Sequence, residues 1–367
     1  MLQVPETSRY SQPYSLSGES TLGHASRLTP GLTAWPRAVV VSARMEQVET
    51  RPVGRSGVSV TTVGLGGIEI GPAEGEEPDI DRSVAVLEAT LAAGINWLDT
   101  SENYYDTQNE SLIGEGMRRV EGELLVATKV APGRAGSGGG TGFRPHEVHA
   151  ACRGSLRRLG RECIDIYFLH WPDDTGVPLE ETWGAMAELV EAGLVRAIGL
   201  SNYDLTDIER CHYQRPVDVV QEGLSLIDYL ESRALIARCG ELGIGVVVYE
   251  PLASGVLSGR PMDEVREIWT GWEDTGFYKR LLTPGRAECS SAVVEAMRLI
   301  AERLGVSVAQ LAIAWVLHQP GVTATLAGSR HGRHVHENAE ASTLDLTDSL
   351  EELERLIPLG PAFAPVD

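Results

Sequence analysis

The sequence predicts an α/β chain closed into a (β/α)8 TIM barrel. Short β-branched runs that end in polar residues or glycine alternate with longer amphipathic stretches, the pattern of a parallel sheet with crossover helices. Eight such runs are present, the barrel number. A length of 367 residues suits a single barrel as well as two average domains, so the count of runs decides between them.

Residues 1–44 are rich in Ser, Thr, Pro and Gly without sustained periodicity and read as a disordered leader. They lack the apolar core of a signal peptide, and Met45 offers an alternative start that would leave the barrel over residues 45–367. The segment "TRPVGRSGVSV" reads as a hairpin plugging the barrel's bottom. The eight runs are "VTTVGLGG" (60–67), "INWLDT" (95–100), "LLVATKV" (124–130), "IDIYFLHW" (164–171), "RAIGLSN" (196–202), "VDVVQ" (217–221), "IGVVVYEP" (244–251) and "VTATLAGS" (322–329). Between them lie helical patterns such as "DRSVAVLEATLAAG", "PHEVHAACRGSLRRLG", "LEETWGAMAELVEAG" and "SVAQLAIAWVLHQ". Several start on Ser, Asp or Pro and end in Gly, as caps do. The acidic "LTDSLEELERL" near the end reads as a solvated helix, and residues 258–290 form a long insertion.

A 43% hydrophobic content with no apolar run of membrane-spanning length describes a soluble globular protein. The formal charge of −21 argues against nucleic acid or an anionic membrane as partner, because a phosphate-binding surface needs a basic excess, and leaves small molecules. Five cysteines, odd in number and without a C-x-x-C pair, indicate neither a disulfide framework nor a zinc site, and a cytoplasmic location fits. Among 31 basic residues only two are lysines, Lys129 and Lys279.

In an α/β barrel the active site forms at the C-terminal ends of the strands. Here those ends carry Asp99, Lys129, His170, Ser201 with Asn202, Gln221, Tyr249 and Ser329. A single polar residue leaving a strand is an ordinary loop start; the set as a whole is chemistry. Lys129 is the sharpest case, since a chain that otherwise uses arginine places a lysine, with its adjustable pKa, at the end of an apolar strand. A buried lysine needs a counter-charge, and Asp99 on the neighbouring strand can supply it. A tyrosine beside such a lysine would have its phenolate favoured by roughly 4 kcal/mol at about 4 Å and an effective dielectric of about 20. Its pKa would then fall from about 10 towards neutrality, suiting it to proton transfer. His170, from the next strand, can hydrogen-bond a carbonyl oxygen in the same cavity.

With these residues assembled, the chain resembles the aldo-keto reductases over essentially all of residues 45–360. That family's D-T-A-x-x-Y-G signature, with a glutamate six places after the tyrosine, is similar to "DTSENYYDTQNESLIG". The spacing selects Tyr104, five after Asp99 and six before Glu110, and not Tyr105. "VATKV", "IDIYFLHWPDD", "AIGLSNY", "VVVYEPLASGVLSG" and "LAGSRHGRHVHENAEA" resemble the family's remaining motifs in order. The resemblance implies hydride transfer between NADP(H) and the carbonyl or alcohol of a small molecule, with Tyr104 as proton donor. Lys129 and Asp99 would tune it, and His170 would orient the carbonyl. It implies a cofactor site in which Ser201, Asn202 and Gln221 bind a carboxamide, Tyr249 stacks on the nicotinamide, and Gly67, Leu252, Gly255 and Gly328 border the dinucleotide. Ser329 and Arg330 would hold a 2′-phosphate, with His334 in the usual basic or Gln position, and Glu337 and Asn338 would reach adenine. The chain departs from the family pattern at Ser101, in place of Ala, at Asp106, in place of Gly, and at Gly223 and Leu224, in place of a Glu-Tyr pair.

Other signals were weaker. "GRAGSGGGTG" (133–142) lacks the G-K-[ST] ending of a phosphate loop and reads as a loop over the barrel mouth. "GLGGIEIG" does not complete G-x-G-x-x-G. His331, His334 and His336 do not share one helix face, so no metal site is expected. Trp269 and Trp272 in the insertion either line a lid or pack it. Three functions therefore stand: a carbonyl reductase, an alcohol or sugar dehydrogenase working in the oxidising direction, and a cofactor-bound regulatory subunit with slow turnover. The sequence does not name the substrate or the oligomeric state.

Overall fold

The computed structural model describes residues 48–72, 77–133, 140–173 and 176–360. The predicted leader lies outside the described residues, as does most of the glycine-rich stretch at 134–139.

The chain opens with a hairpin of β1 (Thr50–Pro52) and β2 (Ser59–Thr61), antiparallel with Thr50 opposite Thr61. Eight parallel strands follow: β3 (Val63–Gly66), β4 (Trp97–Asp99), β5 (Leu125–Val130), β6 (Ile164–Leu169), β7 (Val195–Ser201), β8 (Val219–Gly223), β9 (Gly245–Tyr249) and β10 (Ala324–Gly328). They close in chain order, with β10 joining both β9 and β3. Barrel strands are buried on both faces, inward on each other and outward on the helices, so β5 and β6 are near-continuous apolar runs and not alternating ones.

The predicted run 60–67 is two elements rather than one strand. Thr62 is the switch: its N–H donates to Glu49 O on the hairpin side at 2.8 Å, while its carbonyl accepts from Thr325 N on the barrel side at 2.8 Å. The Thr61 hydroxyl donates to Val63 O at 2.7 Å and holds the bend, a local side-chain bond that competes with a continuous ladder. Every residue involved is a good strand former, so the break leaves no trace in composition.

Helices α1 (Ile80–Ala92), α2 (Gln108–Met117), α3 (Pro145–Leu159), α4 (Leu179–Glu191), α5 (Leu205–Gln214) and α6 (Ser232–Leu242) fill the crossovers between barrel strands up to β9. Beyond β9 come α7 (Met262–Ile268) and α8 (Gly276–Leu281) of the insertion, then α9 (Arg286–Leu304) and α10 (Val308–Leu317). After β10 lie α11 (Gly332–Glu340) and α12 (Leu350–Glu354). Caps set the ends: Asp79 accepts from Arg82 N at α1, Asp204 from Asp207 N at α5, and Ser307 and Gln310 form a reciprocal box at α10. α3 begins on Pro145 and stops at Gly160, whose φ of 67° is the left-handed C-cap that glycine favours. α10 is apolar nearly all round because α9, α11 and β10 pack against it. Among the described residues no single helix is long and apolar enough to cross a membrane.

The hairpin does meet the barrel's N-terminal end. Gly54 in its turn has φ 52°, and a Cβ there would lie 2.1 Å from the Asp218 carbonyl between α5 and β8. Gly57 in the same turn also has positive φ, 76°, but open space around it. Both need left-handed backbone; only Gly54 needs the missing side chain for contact. We expect Gly57→Ala to cost about 1 kcal/mol, from backbone strain alone, and Gly54→Ala about 3 kcal/mol, because the overlapping carbonyl cannot step aside. Urea unfolding midpoints would separate them, and equal losses would refute the plug contact.

Candidate active site

Strand register brings the polar ends together. Gly66 lies opposite Asp99, Asp99 opposite Ala127, and Ser201 opposite Gln221, so neighbouring strands finish level at one rim. Lys129 is wholly buried, and its ammonium ion-pairs with Asp99 and donates to Thr100 O at 2.8 Å. The third ammonium neighbour is the Tyr104 hydroxyl at 3.3 Å, with the ring centroid 5.0 Å away. Asp99 is completed by Gln221, whose amide donates to its other oxygen at 2.9 Å. His170 stands edge-on to Tyr104, with ring centroids 5.6 Å apart. Asp99, Tyr104, Lys129 and His170 thus lie together at one end of the barrel.

One electrostatic expectation is reversed. The Tyr104 phenol is not drawn towards neutrality; it is held well above its ordinary value, first by burial and then by the carboxylates of Asp99 and Glu250. Lys129 cannot favour the phenolate freely because it already answers Asp99. Burial pushes both members of that pair towards neutrality, Lys129 down and Asp99 up, against their mutual attraction. His170 is held well below its ordinary value by burial and by Lys129, and is neutral at physiological pH. The site therefore presents a protonated phenol and a neutral imidazole side by side.

The expected carboxamide group is partly engaged within the protein. Asn202, at φ 65°, donates through Nδ2 to His170 O and Ser201 Oγ, both at 3.0 Å, and accepts from the Tyr249 hydroxyl at 2.6 Å. Asn202 thus ties the histidine strand to the tyrosine platform. Gly67 sits in the turn after β3, and Gly328 closes β10. A Cβ on Gly66 would lie 3.2 Å from Gly328 N, so these two strand ends meet backbone to backbone. Leu252 and Gly255 occupy the turn after β9, where Gly255 has φ 91° and open space around its Cα. Ser329 and Arg330 follow β10, and His334, Glu337 and Asn338 lie on α11.

Arg330 and Arg333 have different partners. Arg330 pairs with Glu69 at 3.0 Å, and its positive charge acts on the Tyr105 hydroxyl, favouring the phenolate against burial and Glu69. Arg333 donates to His334 Nε2 at 3.1 Å. Sequence reasoning missed Glu69, Glu250 and the part played by Tyr105. Glu69 is an unremarkable letter in "GGIEIG", and Tyr105 was set aside because it fits no motif count. Its ring packs where a Cβ on Gly71 would lie, 2.2 Å from it. Trp269 settles as packing: its indole N–H donates to Ser254 O at 2.9 Å and its ring meets Phe277, fastening the insertion to the turn after β9. Glu102 anchors the far side of the mouth, accepting from Ala131 N, Thr141 N and Thr141 Oγ1 at 2.8–3.0 Å.

Beneath Tyr104, Glu110 on α2 is fully buried and accepts from Thr128 Oγ1 and Arg158 Nε, each at 2.6 Å. These bonds stitch α2 to β5 and α3 below the loop that carries Tyr104. Arg158→Met would leave a buried carboxylate without its cation, and we expect a loss of about 3–5 kcal/mol in chemical denaturation. The double variant Arg158→Met, Glu110→Leu should recover most of it; a single-variant loss below about 1 kcal/mol would show that the pair does not hold the loop's base.

The sequence profile of the Aldo/keto reductase family matches residues 62–356. A glycerol dehydrogenase from Gluconobacter oxydans is 26% identical, covers 87% of this chain and 97% of its own, and superposes with a TM-score of 0.73. An aldo/keto reductase from Klebsiella pneumoniae, solved with NADP and acetate, is 28% identical over 85% of this chain and 96% of its own, with a TM-score of 0.64. An aldo-keto reductase from Bacillus halodurans shares the fold at 23% identity, 85% and 97% coverage and a TM-score of 0.69. Barrel, strand-end residues and profile agree over the same span: the chain belongs to the aldo/keto reductase family.

Proposed function

We propose that the protein is an NADP(H)-dependent reductase of small aldehydes or ketones in which Tyr104 is the proton donor. The observation that carries this is the Tyr104 hydroxyl within 3.3 Å of a fully buried lysine ammonium, with the neutral His170 ring beside it. A phenol and an imidazole side by side suit a carbonyl oxygen, whose two lone pairs can accept from both. When bound, the nicotinamide supplies a hydride to the carbonyl carbon. As negative charge develops on the oxygen, Tyr104 delivers its proton and His170 holds the oxygen in place. Lys129 stabilises the phenolate left behind, and Asp99 with Gln221 keeps Lys129 aimed at it.

The residues fit a dinucleotide. Ser201 and the Oε1 of Gln221 offer a hydroxyl and an acceptor for a carboxamide, and Tyr249 offers a ring face, with its hydroxyl anchored on Asn202. The close approach of Gly66 to Gly328 and the open surroundings of Gly255 leave room for a pyrophosphate against backbone. Ser329 and Arg330, with Glu337 and Asn338, would hold the adenosine end. The relative solved with NADP supports that cofactor.

The oxidising direction, favoured by the resemblance to a glycerol dehydrogenase, uses the same groups but needs Tyr104 as a base. The two directions differ in their pH dependence. A phenol held above its ordinary value stays protonated through neutral pH, so we expect carbonyl reduction to keep its rate from about pH 6 to 9 and alcohol oxidation to climb across that range. A reduction rate that falls away around neutrality would contradict a protonated donor.

NADPH absorbance with a panel of aromatic, aliphatic and sugar-derived carbonyls tests the activity itself. Tyr104→Phe should lower turnover roughly 10²- to 10⁴-fold while leaving NADPH binding intact by fluorescence. Full turnover in that variant would remove Tyr104 as the donor. Tight NADPH binding with no turnover by the parent would favour a regulatory subunit instead.

A further inference from the structure

Gly223 and Leu224 stand where the family pattern has a Glu-Tyr pair, and the space left by the missing side chain at 223 is filled from elsewhere in the chain. Gly223 ends β8 opposite Tyr249 at the end of β9, so the two positions project to the same side of the sheet. Gln221, two residues earlier, projects to that side as well, and its amide meets Asp99 inside the barrel. A side chain at 223 would therefore enter the barrel mouth beside the Tyr249 ring. The Tyr229 ring takes that place. A Cβ on Gly223 would lie 2.8 Å from two carbons of the ring, which stands edge-on to Tyr249 with centroids 5.8 Å apart and planes at 69°.

Tyr229 is held on every side. Its backbone is left-handed, with φ 57°, and its carbonyl accepts from Ser232 N at 2.9 Å at the start of α6. Asp228 before it donates through its N–H to Ser225 Oγ and accepts at its carbonyl from Ser225 N, both at 3.0 Å. The Asp228 carboxylate takes Nε and Nη2 of Arg280, each at 2.9 Å, and the same Nη2 donates to the Tyr229 hydroxyl at 2.8 Å. The guanidinium lies 4.6 Å from the ring centroid. Arg280 belongs to α8, so it is the insertion that grips Tyr229. Tyr249 is thereby held by Asn202 at its hydroxyl and by Tyr229 at its ring.

We infer that Tyr229 is a positioning residue for the nicotinamide half of the cofactor: admitted by Gly223 and clamped by Arg280, it braces the Tyr249 ring on which the nicotinamide would rest. This rests on the NADP(H) reading of the site, and it gives the insertion a part in cofactor binding. Gly223 is not in the left-handed region, so what it contributes is room and not backbone freedom.

The test compares dissociation constants of the full chain for NADPH, by fluorescence, and for 2′,5′-ADP, which has the adenosine end and no nicotinamide, by calorimetry. Tyr249→Ala checks the platform itself and should weaken NADPH alone. Tyr229→Ala should weaken NADPH about tenfold, the upper end of what an aromatic pair contributes, and leave 2′,5′-ADP within about twofold. Tyr229→Phe keeps the ring and should stay within about threefold of the parent. Gly223→Ala should weaken NADPH in the parent yet change nothing further in Tyr229→Ala, because its methyl group acts only by displacing the ring. Equal losses for both ligands in Tyr229→Ala, an unchanged NADPH affinity, or additive effects of Gly223→Ala and Tyr229→Ala would overturn the proposal. An effect of Tyr249→Ala without one of Tyr229→Ala removes the brace alone. If Tyr249→Ala leaves NADPH binding intact, or the parent binds no NADPH, the reading of the cofactor site falls and takes the brace with it.

Discussion

The ion pair between Lys129 and Asp99 is the constraint around which the rest of the site is arranged. Neither group is tolerable alone in the barrel: each is pushed towards its neutral form by burial and kept charged by the other. Their meeting depends on register. Asp99 is the last residue of β4 and pairs with Ala127, which puts Lys129 two residues farther along β5 on the same face. A slip of one residue would turn Lys129 out of the barrel and leave Asp99 without a partner. The Thr100 carbonyl and Gln221 then take up remaining hydrogen-bonding capacity, so the Lys129 position left for a further ligand is the one Tyr104 fills.

The barrel was legible in the sequence because its signal is repeated eight times, and a repeated signal survives local ambiguity. Strands buried on both faces write continuous apolar runs, and crossover helices write a 3.6-residue period capped by Asp, Ser, Pro and Gly. The break at Thr62 was not legible for the converse reason. It is made by partners 13 residues back and 263 residues ahead, Glu49 and Thr325, and no local propensity changes across it. Hairpin and barrel use the same β-branched alphabet, and only the tertiary pairing says where one ends.

The meeting of Asp99, Lys129 and His170 was legible because chemistry restricts which residue types can stand at a strand end, and Lys129 stood out against a background of arginine. What stayed hidden was electrostatic balance. The sequence shows a lysine near a tyrosine; it does not show that Asp99 and Glu250 both oppose the phenolate, since Glu250 reaches the site only through a left-handed turn, with φ 60°, after β9. Glu69 was hidden in the same way. It lies 261 residues from Arg330 in the chain and becomes its partner because β3 and β10 are neighbours in the closed sheet. Motifs report identities along one segment, and these charges act between segments.

The two adjacent tyrosines show how one short turn serves both ends of the cleft. Tyr105, Asp106 and Thr107 all have positive φ, at 51°, 52° and 70°, a conformation that costs non-glycine residues about 1–3 kcal/mol each. Such strain persists only where the surroundings over-determine it. Here Asn109 accepts from Thr100 Oγ1 at 2.6 Å and donates to Gly67 O at 3.0 Å, while Glu110 below is locked to Thr128 and Arg158. The left-handed path is what parts the tyrosines: Tyr104 turns down to Lys129, and Tyr105 turns across Gly71 to Arg330. An ordinary extended or helical backbone would carry the second ring elsewhere. Tyr104 beside Lys129 and the arginine beside β10 therefore rest on one strained piece of chain, and the residue the signature passes over is the one that joins them.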